Sequence, residues 1–366
     1  MKVKVGQETK EYKSIWWDKE GVVNAIDQRK LPFSFEIFKT RNLDDICFTI
    51  KNMVVRGAPL IGVTAAYGLV LTSQTLEKKK DEEFINGLVI AGNKLSKTRP
   101  TAADLDNAIS EIMSIVYINN TPKENIDNIK CESDILTQTV IDECLAIGKI
   151  GNQLITQDIS NIMTICNAGA LATVDIGTAL APIRKAKESG KELNIYVNET
   201  RPRMQGARLT AWELYNEDIS HQIITDNSAG YFFKKGMIDM VLVGADRIVR
   251  NGDTANKIGT YILSLLCKEH SIPFYVAAPL STFDLKTKTG NDIIIEERDG
   301  LEVRSAMSVN DEQDKIAKRR IIHHPHSPNL NPAFDITPAE NITGIITPKG
   351  LLKNPFEKEI FQMLKT

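Results

Sequence analysis

Cys166 ends a short apolar run, Ile162–Cys166, and enters a turn that contains glycine, Asn167–Ala170. In such a turn, nearby backbone amides can stabilise a thiolate, which is the reactive form of cysteine. The alternative is a small buried side chain without chemistry, because free cysteine is among the most buried residue types. Its place at the end of a predicted strand makes Cys166 a candidate catalytic residue.

An aspartate, Asp246, follows a second apolar run, Met240–Val243. Apolar surroundings raise the pKa of a carboxyl group, so that it can serve as a general acid. Alternatively, Asp246 caps the next turn or pairs with the adjacent Arg247. The sequence leaves these two interpretations open.

A turn rich in arginine indicates an anionic ligand. Arg201, Arg203 and Arg208, together with Gln205, follow the run Leu193–Val197 and open a predicted helix. Such a position suits an anion, since helix N-terminal amides and guanidinium groups both bind one. A solvated basic turn is the alternative.

Three further segments carry basic or amide side chains at predicted helix starts: Arg56-Gly57-Ala58, Arg99, and Asn256-Lys257 within NGDTANKIGT. In the last of these, we expect a helix to begin near Asn256. Helix N-terminal amides combined with a lysine form a phosphate site. The spacing GxxxxGK[ST] is absent and no GxGxxG follows a strand, so the sequence predicts neither a Walker A loop nor a dinucleotide site.

Three histidines, His323, His324 and His326, lie around Pro325. A metal site would need further ligands, and Pro325 limits how the three side chains can converge. We therefore expect a solvated loop rather than a metal site. The sequence also gives no reason to expect a cofactor.

The elements that must position these residues follow from the order of the apolar runs. Five short runs alternate with amphipathic segments after about residue 160: Ile162–Cys166, Leu193–Val197, Gln222–Thr225, Met240–Val243 and Phe274–Ala277. The amphipathic segments predict helices over Ala179–Ser189, Gln205–Tyr215, Ala229–Lys235 and Asn256–His270. This alternation is typical of a doubly wound parallel sheet, whose ligands bind at the carboxyl ends of the strands.

The first half of the chain predicts mostly helices. The apolar window Gly57–Thr72 indicates a buried helix, and Leu76–Lys97 and Asp104–Ile118 show helical periodicity. Short runs around Ile15–Trp17 and Phe33–Phe38 predict a small sheet, and the polar stretch Asn119–Asn128 predicts a loop. We expect a helical domain over 1–150 and a catalytic domain over 151–366.

Composition excludes several classes of protein. The 366 residues carry a net charge of −2, with 42% hydrophobic and 25% charged residues, so the chain is neither disordered nor built to bind nucleic acid. Five cysteines without a CxxC motif favour a reducing compartment. The N-terminus does not resemble a signal peptide, and Gly57–Thr72 is too short to span a membrane. We expect a cytoplasmic protein.

Taken together, the motifs resemble those of the methylthioribose-1-phosphate isomerases, which share a fold with regulatory subunits of the guanine-nucleotide exchange factor of translation initiation. The resemblance covers most of the chain and rests on these segments: RGAPLIG at Arg56, TRPTA at Thr98, TICNAGALAT at Thr164, ETRPRMQGARLTAWEL at Glu199, VGADRI at Val243, NGDTANKIGTY at Asn251, FYVAAPLSTFD at Phe274, IEERD at Ile295 and NPAFDITP at Asn331.

The resemblance implies an N-terminal helical domain with a small antiparallel sheet, a C-terminal Rossmann-like domain and a homodimer. It also implies a cofactor-free aldose–ketose isomerisation in methionine salvage. Cys166 and Asp246 would be the catalytic pair. The sugar phosphate would be held by Arg56, Gly57, Ala58, Arg99, Gln205, Asn256 and Lys257.

Two departures from the family pattern bear on the substrate. Many relatives carry TDxMAA where this chain has TDNSAG at Thr225, and the segment 305–329 is longer than usual. Both could reshape the pocket around carbon 5 of the sugar, so 5-deoxyribose 1-phosphate and ribose 1,5-bisphosphate are alternative substrates. A regulatory protein without catalytic activity is the competing class, because a fold alone does not determine function.

Overall fold

The computed structural model describes residues 1–99, 103–310, 317–324 and 326–365. Pro100, Thr101 and Ala102 of the TRPTA segment and Pro325 of the histidine segment lie outside the described residues, as does part of the long segment 305–329.

Two small antiparallel sheets open the chain. Strands β1 (Lys2–Val5) and β2 (Glu8–Glu11) form a hairpin, and β3 (Ile15–Trp17), β4 (Val23–Ile26) and β5 (Ile37–Thr40) form a three-stranded sheet. The predicted small sheet is therefore confirmed, with the addition of β4 at its centre.

A group of helices follows: α1 (Leu43–Lys51), α2 (Ala58–Thr75), α3 (Asp81–Ser96), α4 (Ala103–Ser114) and α5 (Pro122–Asn152). Every residue of α2 from Leu60 to Leu71 is buried, because α1, α3, α4 and α5 pack around it. This confirms the buried apolar helix. A helix that is apolar on all sides is stable only when other elements cover it.

The predicted loop Asn119–Asn128 is wrong over most of its length. Helix α5 already begins at Pro122, because Thr121 and Glu124 form a capping box around a proline at the first helical position. The capping residues therefore start a helix within a stretch whose polar composition favours a loop. Helix α5 packs against both α2 and α6 (Leu180–Glu188), and the division after residue 150 falls in its last turn. That division stays a prediction.

The remaining elements alternate between strands and helices. In chain order they are β6 (Asn161–Thr164), α6, β7 (Asn194–Asn198), a π-helix (Gly206–Thr210) continued by α7 (Ala211–Asn216), β8 (His221–Ile224), α8 (Ala229–Lys234), β9 (Met240–Val243), β10 (Arg247–Val249), β11 (Thr254–Lys257), α9 (Thr260–His270), β12 (Phe274–Ala277), β13 (Phe283–Asp284), α10 (Leu301–Arg304), β14 (Ser305–Ser308), β15 (Lys318–Ile321), β16 (Phe334–Thr337), β17 (Gly344–Thr347), β18 (Gly350–Leu352) and α11 (Phe356–Lys365).

A seven-stranded sheet organises this half of the chain. Its order is β18-β17-β12-β9-β6-β7-β8, with parallel pairing everywhere except between β17 and β18. The six parallel strands thus have the order 3-2-1-4-5-6 of the doubly wound Rossmann fold, and the chain reverses direction between β6 and β9. All five predicted strands belong to this sheet, so the predicted α/β fold is confirmed. Separate apolar clusters cover its two faces.

A smaller four-stranded sheet, ordered β13-β10-β11-β16, lies beyond the end of β9. It corrects the helix predicted to begin near Asn256. Asn256 and Lys257 belong to β11 and face Asp335 and Phe334 of β16, and α9 begins only at Thr260. None of the helices in the described ranges combines the length and the hydropathy that crossing a membrane requires.

Candidate active site

The reversal of strand order between β6 and β9 opens a cavity of about 150 Å³. Cys166 follows β6 and Asp246 follows β9, and both line this cavity. All nine residues predicted for the site contribute to its wall: Arg56, Gly57, Ala58, Arg99, Cys166, Gln205, Asp246, Asn256 and Lys257. The fold therefore brings together residues at the start of α2, in the segment before α4, and in four separate segments after residue 160. Their chemical roles stay predictions.

Threonine side chains fix the backbone of Cys166. Its N–H donates to Thr200 Oγ1 at 2.8 Å, and its carbonyl accepts from Thr210 Oγ1 at 2.6 Å. The residue has a φ of 65°, in the left-handed region that residues other than glycine seldom adopt. Such conformations persist where surrounding contacts over-determine them, and they are concentrated at functional sites.

A buried ionic network holds the turn after Cys166. The Glu213 carboxylate accepts from Asn167 Nδ2 at 2.7 Å and from the N–H groups of Ala170 and Leu171 at 2.8 and 3.2 Å. It also pairs with Arg184 Nη2 at 2.6 Å, and the Glu213 side chain has no exposed surface. Both oxygens of the Glu213 carboxylate thus accept hydrogen bonds, and this network makes the turn rigid. Glu213 belongs to the ETRPRMQGARLTAWEL segment, and its role was not predictable from the sequence.

Asp246 is accessible to solvent and lines the cavity. Loss of bulk solvent raises the pKa of the Asp246 carboxyl group, as the sequence predicts. The positive charges of Lys257, Arg56 and Arg99 act in the opposite direction without cancelling this effect. The alternative pair with Arg247 does not form, since Arg247 pairs with Asp284 at 3.2 Å.

The start of α2 lies against the wall of the cavity. Gly57 has a φ of 106°, and a Cβ atom on it would come within 2.3 Å of the Ala172 carbonyl oxygen. Only glycine allows this approach. Arg56 donates to the carbonyl and to the side-chain oxygen of Asn167, so the N-terminal end of α2 is joined to the turn that carries Cys166.

Lys257 is buried, and burial lowers the pKa of its ammonium group. Its Nζ atom donates to the Ala333 carbonyl at 2.8 Å and lies 4.3 Å from the centre of the Phe334 ring. The expectation that α9 offers its N-terminal amides to a phosphate is wrong. Asp335 accepts hydrogen bonds from the N–H groups of Gly259 and Tyr261, so these amides already have a partner.

The three arginines of the predicted anion-binding turn do not all face the active-site cavity. Arg201 donates to the carbonyls of Val303 and Ser305, and Arg208 donates to those of Arg29 and Leu31. Only Arg203 lines the cavity, beside Gln205. One arginine of the three thus lines the active-site cavity, and binding of an anion by this turn stays a prediction.

Two charged residues of the cavity, Glu296 and Arg298, received no role from the sequence. Arg298 and Glu296 line it and hydrogen bond to each other at 3.2 Å. Both belong to the IEERD segment, which lies outside any regular element, so no periodicity marked them. With them, six basic and two acidic side chains line the cavity. This balance suits a dianion such as a phosphate monoester.

His324 and His326 are exposed, His323 is half-buried, and none of the three lines this wall. Within the part of the chain that the structure describes, no group of three or more histidine, cysteine, aspartate or glutamate side chains has the geometry to hold a metal ion.

Comparison with known proteins gives a consistent family. Residues 54–354 match the initiation factor 2 subunit family. The chain is 46% identical over 347 residues to a methylthioribose-1-phosphate isomerase of Caldanaerobacter subterraneus subsp. tengcongensis, with 94% of this chain and 97% of the relative covered.

Two solved structures are similar over nearly the whole chain. The 5-methylthioribose 1-phosphate isomerase from Pyrococcus horikoshii OT3 has a TM-score of 0.88 and 38% identity, with 97% and 96% of the two chains covered. The translation initiation factor eIF-2B subunit delta from A. fulgidus has a TM-score of 0.84 and 39% identity, with 97% and 100% covered.

Proposed function

Because the chain belongs to the methylthioribose-1-phosphate isomerases, within the initiation factor 2 subunit family, we propose that it converts 5-methylthioribose 1-phosphate into 5-methylthioribulose 1-phosphate. The protein is an isomerase of methionine salvage. The observation that supports the proposed site is that residues from distant parts of the chain, with Cys166 and Asp246 among them, line one cavity at the strand reversal.

The basic side of the cavity is the proposed binding site of the phosphate group. Arg56, Arg99 and Lys257 supply positive charge, and the start of α2 at Gly57 and Ala58 brings backbone N–H groups to the same wall. Guanidinium groups and helix N-termini are the usual ligands of phosphate oxygens. Gln205 and Asn256 offer amide groups to the sugar hydroxyls. These contacts would keep the phosphate attached during the reaction and orient carbons 1 and 2.

Ring opening requires an acid. The phosphate on the anomeric oxygen prevents spontaneous opening to a free aldehyde, so the ring oxygen must receive a proton before its bond to carbon 1 breaks. Asp246 is the group for this step, because its raised pKa preserves the protonated form. The proton given to the ring oxygen becomes the hydroxyl hydrogen on carbon 4 of the product.

A hydrogen must then move from carbon 2 to carbon 1. In a proton relay, Cys166 removes it from carbon 2 and returns it to carbon 1. In a hydride shift, the hydrogen moves directly with its electron pair, and Cys166 assists by polarising the oxygens. In both routes the proton of the 2-hydroxyl group leaves as the ketone forms, and its transfer to Asp246 restores the acid for the next turnover.

The test is a side-by-side NMR assay of the purified chain with 5-methylthioribose 1-phosphate, 5-deoxyribose 1-phosphate and ribose 1,5-bisphosphate. We expect formation of the ketose 1-phosphate with a preference for the thioether sugar. Equal turnover of the first two sugars would show that the chain also accepts 5-deoxyribose 1-phosphate as a substrate. It would reject a preference for the thioether sugar.

A regulatory role is the second candidate, which the similarity to the eIF-2B subunit delta supports. It would be favoured if none of the three sugars reacts while a sugar phosphate still binds. A complete set of proposed catalytic and phosphate-binding residues argues for the isomerase, because a purely regulatory subunit has no need of both Cys166 and Asp246.

We also propose that the protein is a homodimer located in the cytoplasm. Exposed apolar side chains on β8, α8 and α9 support an interface there, namely Ile223, Tyr231, Ile262 and Leu265. Large exposed apolar areas often mark interaction sites. Light scattering after size exclusion is expected to give twice the mass of 40.8 kDa, and Ile262→Glu to shift it towards the monomer. A monomeric wild-type chain would reject the dimer.

A further inference from the structure

A second cavity of about 260 Å³ lies beside the active site. We call it the arginine cavity, because five arginines line it: Arg29, Arg56, Arg203, Arg208 and Arg319. It shares Arg56, Arg203 and Gln205 with the active-site cavity. Its volume is slightly below the range of about 300–1,000 Å³ that is typical of sites for drug-sized ligands, so it suits a small ligand.

The positive charge in the arginine cavity is poorly compensated. No carboxylate belongs to its wall among the described residues. Arg29 pairs with Asp27 at 2.7 Å and Arg203 with Glu302 at 2.6 Å, both partners lying outside the wall. Arg56, Arg208 and Arg319 form no ion pair with the described part of the chain.

Burial, and to a lesser extent repulsion by Arg203, disfavours the positive charge of Arg208. Burial and the positive charge of Arg203 lower the pKa of the Arg208 guanidinium group to about 10. A guanidinium group normally keeps a pKa above 12. A bound anion would remove this repulsion, because it would supply the negative charge that the wall lacks.

Gln205 indicates a ligand at the junction of the two cavities. It is 8% exposed, and its Oε1 atom is buried without a hydrogen-bond partner among the described residues. Leaving a buried polar atom unpaired is costly, so such an atom requires an explanation. Gln205 lies where the two cavities meet, and its amide can donate to an anion or accept from a hydroxyl group.

The hairpin of β14 and β15 closes one side of the arginine cavity. Met307 and Arg319 are paired across this hairpin, and both line the cavity. The next residue, Arg320, instead donates to Asn310 and does not contribute to the wall. Adjacent residues of a strand point to opposite faces, which accounts for this difference.

We propose that the arginine cavity is a second binding site for a phosphate-type dianion, adjacent to the site of the sugar 1-phosphate. Guanidinium forks match the geometry of phosphate oxygens. The dianion is either a second phosphate of the bound sugar or a separate phosphate ion or monoester. The proposal depends on the wall of the cavity and not on which sugar the active site converts.

Equilibrium dialysis with radiolabelled orthophosphate at low ionic strength tests the proposal. We expect two phosphates per chain in the wild type, of which saturating 5-methylthioribulose 1-phosphate displaces one. Arg319→Gln should weaken the remaining phosphate at least about tenfold, whereas Arg320→Gln, on the opposite face of the same strand, should not. Unchanged thermal unfolding of both variants would show that they are folded. A single phosphate per chain, or two that Arg319→Gln leaves unaffected, would overturn the proposal.

A competition experiment identifies the source of the dianion. If the sugar itself supplies it, one ribose 1,5-bisphosphate displaces both phosphates and binds more tightly than ribose 1-phosphate, an advantage that Arg319→Gln abolishes. If a separate ion supplies it, orthophosphate and the ketose 1-phosphate bind together. Both results support the site, and displacement of both phosphates by ribose 1-phosphate alone would contradict it.

Discussion

Arg56 Nη2 donates a hydrogen bond of 2.7 Å to the backbone carbonyl of Asn167, the residue after Cys166. This bond joins the segment before α2 to the turn that follows β6. The same guanidinium group lines the active-site cavity and lowers the pKa of Asp246 through its charge. One side chain thus positions the candidate catalytic turn, contributes to phosphate binding and tunes the candidate acid.

Replacing Arg56 by lysine separates these contributions. Lysine retains the positive charge but lacks the planar fork that reaches both oxygens of Asn167. We therefore expect kcat/KM for Arg56→Lys to fall at least about tenfold, because a charge-assisted hydrogen bond is lost at the turn. Steady-state kinetics give the value, and Arg41→Lys at an exposed position is the matched control. Equal kinetics for both variants would show that the fork is dispensable.

Cys166→Ala tests the candidate hydrogen-transfer residue. We expect kcat to fall at least about a hundredfold, which is the scale of acid–base catalysis, while the affinity for the ketose 1-phosphate product stays within about twofold. Cys131→Ala is the control, since Cys131 is an exposed free cysteine on α5. Turnover near the wild-type level in Cys166→Ala would remove Cys166 from the mechanism.

Asp246→Asn tests the candidate acid. Loss of bulk solvent raises the pKa of Asp246, so the protonated donor persists to higher pH than an ordinary carboxyl group allows. Turnover should decline as pH rises through that pKa. We expect Asp246→Asn to lower kcat at least about a hundredfold and to abolish this decline in the residual activity. A variant that keeps the wild-type pH profile would exclude Asp246 as the group that titrates.

The sheet and the candidate site were predictable because apolar runs mark buried parallel strands and ligands bind where such strands end. Ile162–Cys166 and Met240–Val243 indicate β6 and β9, and the residues after them face one crevice. The start of α9 was not predictable in the same way. Its capping partner, Asp335, comes from β16, more than seventy residues along the chain.

The arginine cavity was only partly predictable, because the sequence grouped Arg203, Gln205 and Arg208 in one anion-binding turn but gave no sign of Arg29 or Arg319. Arg29, Arg208 and Arg319 belong to a turn after β4, a π-helix and an exposed hairpin, and no local pattern connects them. Only the packing of these three elements makes their charges adjacent. Arg298 was missed for a similar reason, because it lies in an irregular segment without periodicity.

Gly57→Ala tests the close approach between α2 and Ala172. The new Cβ atom would lie 2.3 Å from the Ala172 carbonyl oxygen, in addition to the strain at a φ of 106°. Gly190→Ala is the control for strain alone, since Gly190 has a φ of 81° and no atom near its Cβ position. We expect about 1 kcal/mol of destabilisation for Gly190→Ala and at least about 2 kcal/mol for Gly57→Ala, measured by urea unfolding. An equal loss of unfolding free energy in both variants would show that Ala172 moves aside without an energetic cost.

Asp104 provides a prediction about stability and pH. It lies in the first turn of α4, is 6% exposed, and accepts a hydrogen bond from Ser281 at 3.2 Å. Burial raises its pKa from 3.8 to about 6, and the charge of Asp246 acts in the same direction. The folded chain therefore binds more protons than the unfolded chain between these two values, so stability falls as pH rises through this range.

Asparagine at this position removes the titration and retains an acceptor for Ser281. We expect Asp104→Asn to match the wild type near pH 4 and to exceed it at pH 8, by up to about 3 kcal/mol, because each unit of pKa shift corresponds to about 1.4 kcal/mol. Thermal unfolding at both pH values measures the difference. Asp106→Asn, at an exposed position of the same helix, controls for helix propensity. An advantage of Asp104→Asn that is equal at pH 4 and pH 8 would contradict the raised pKa, because it would not depend on ionisation of the carboxyl group.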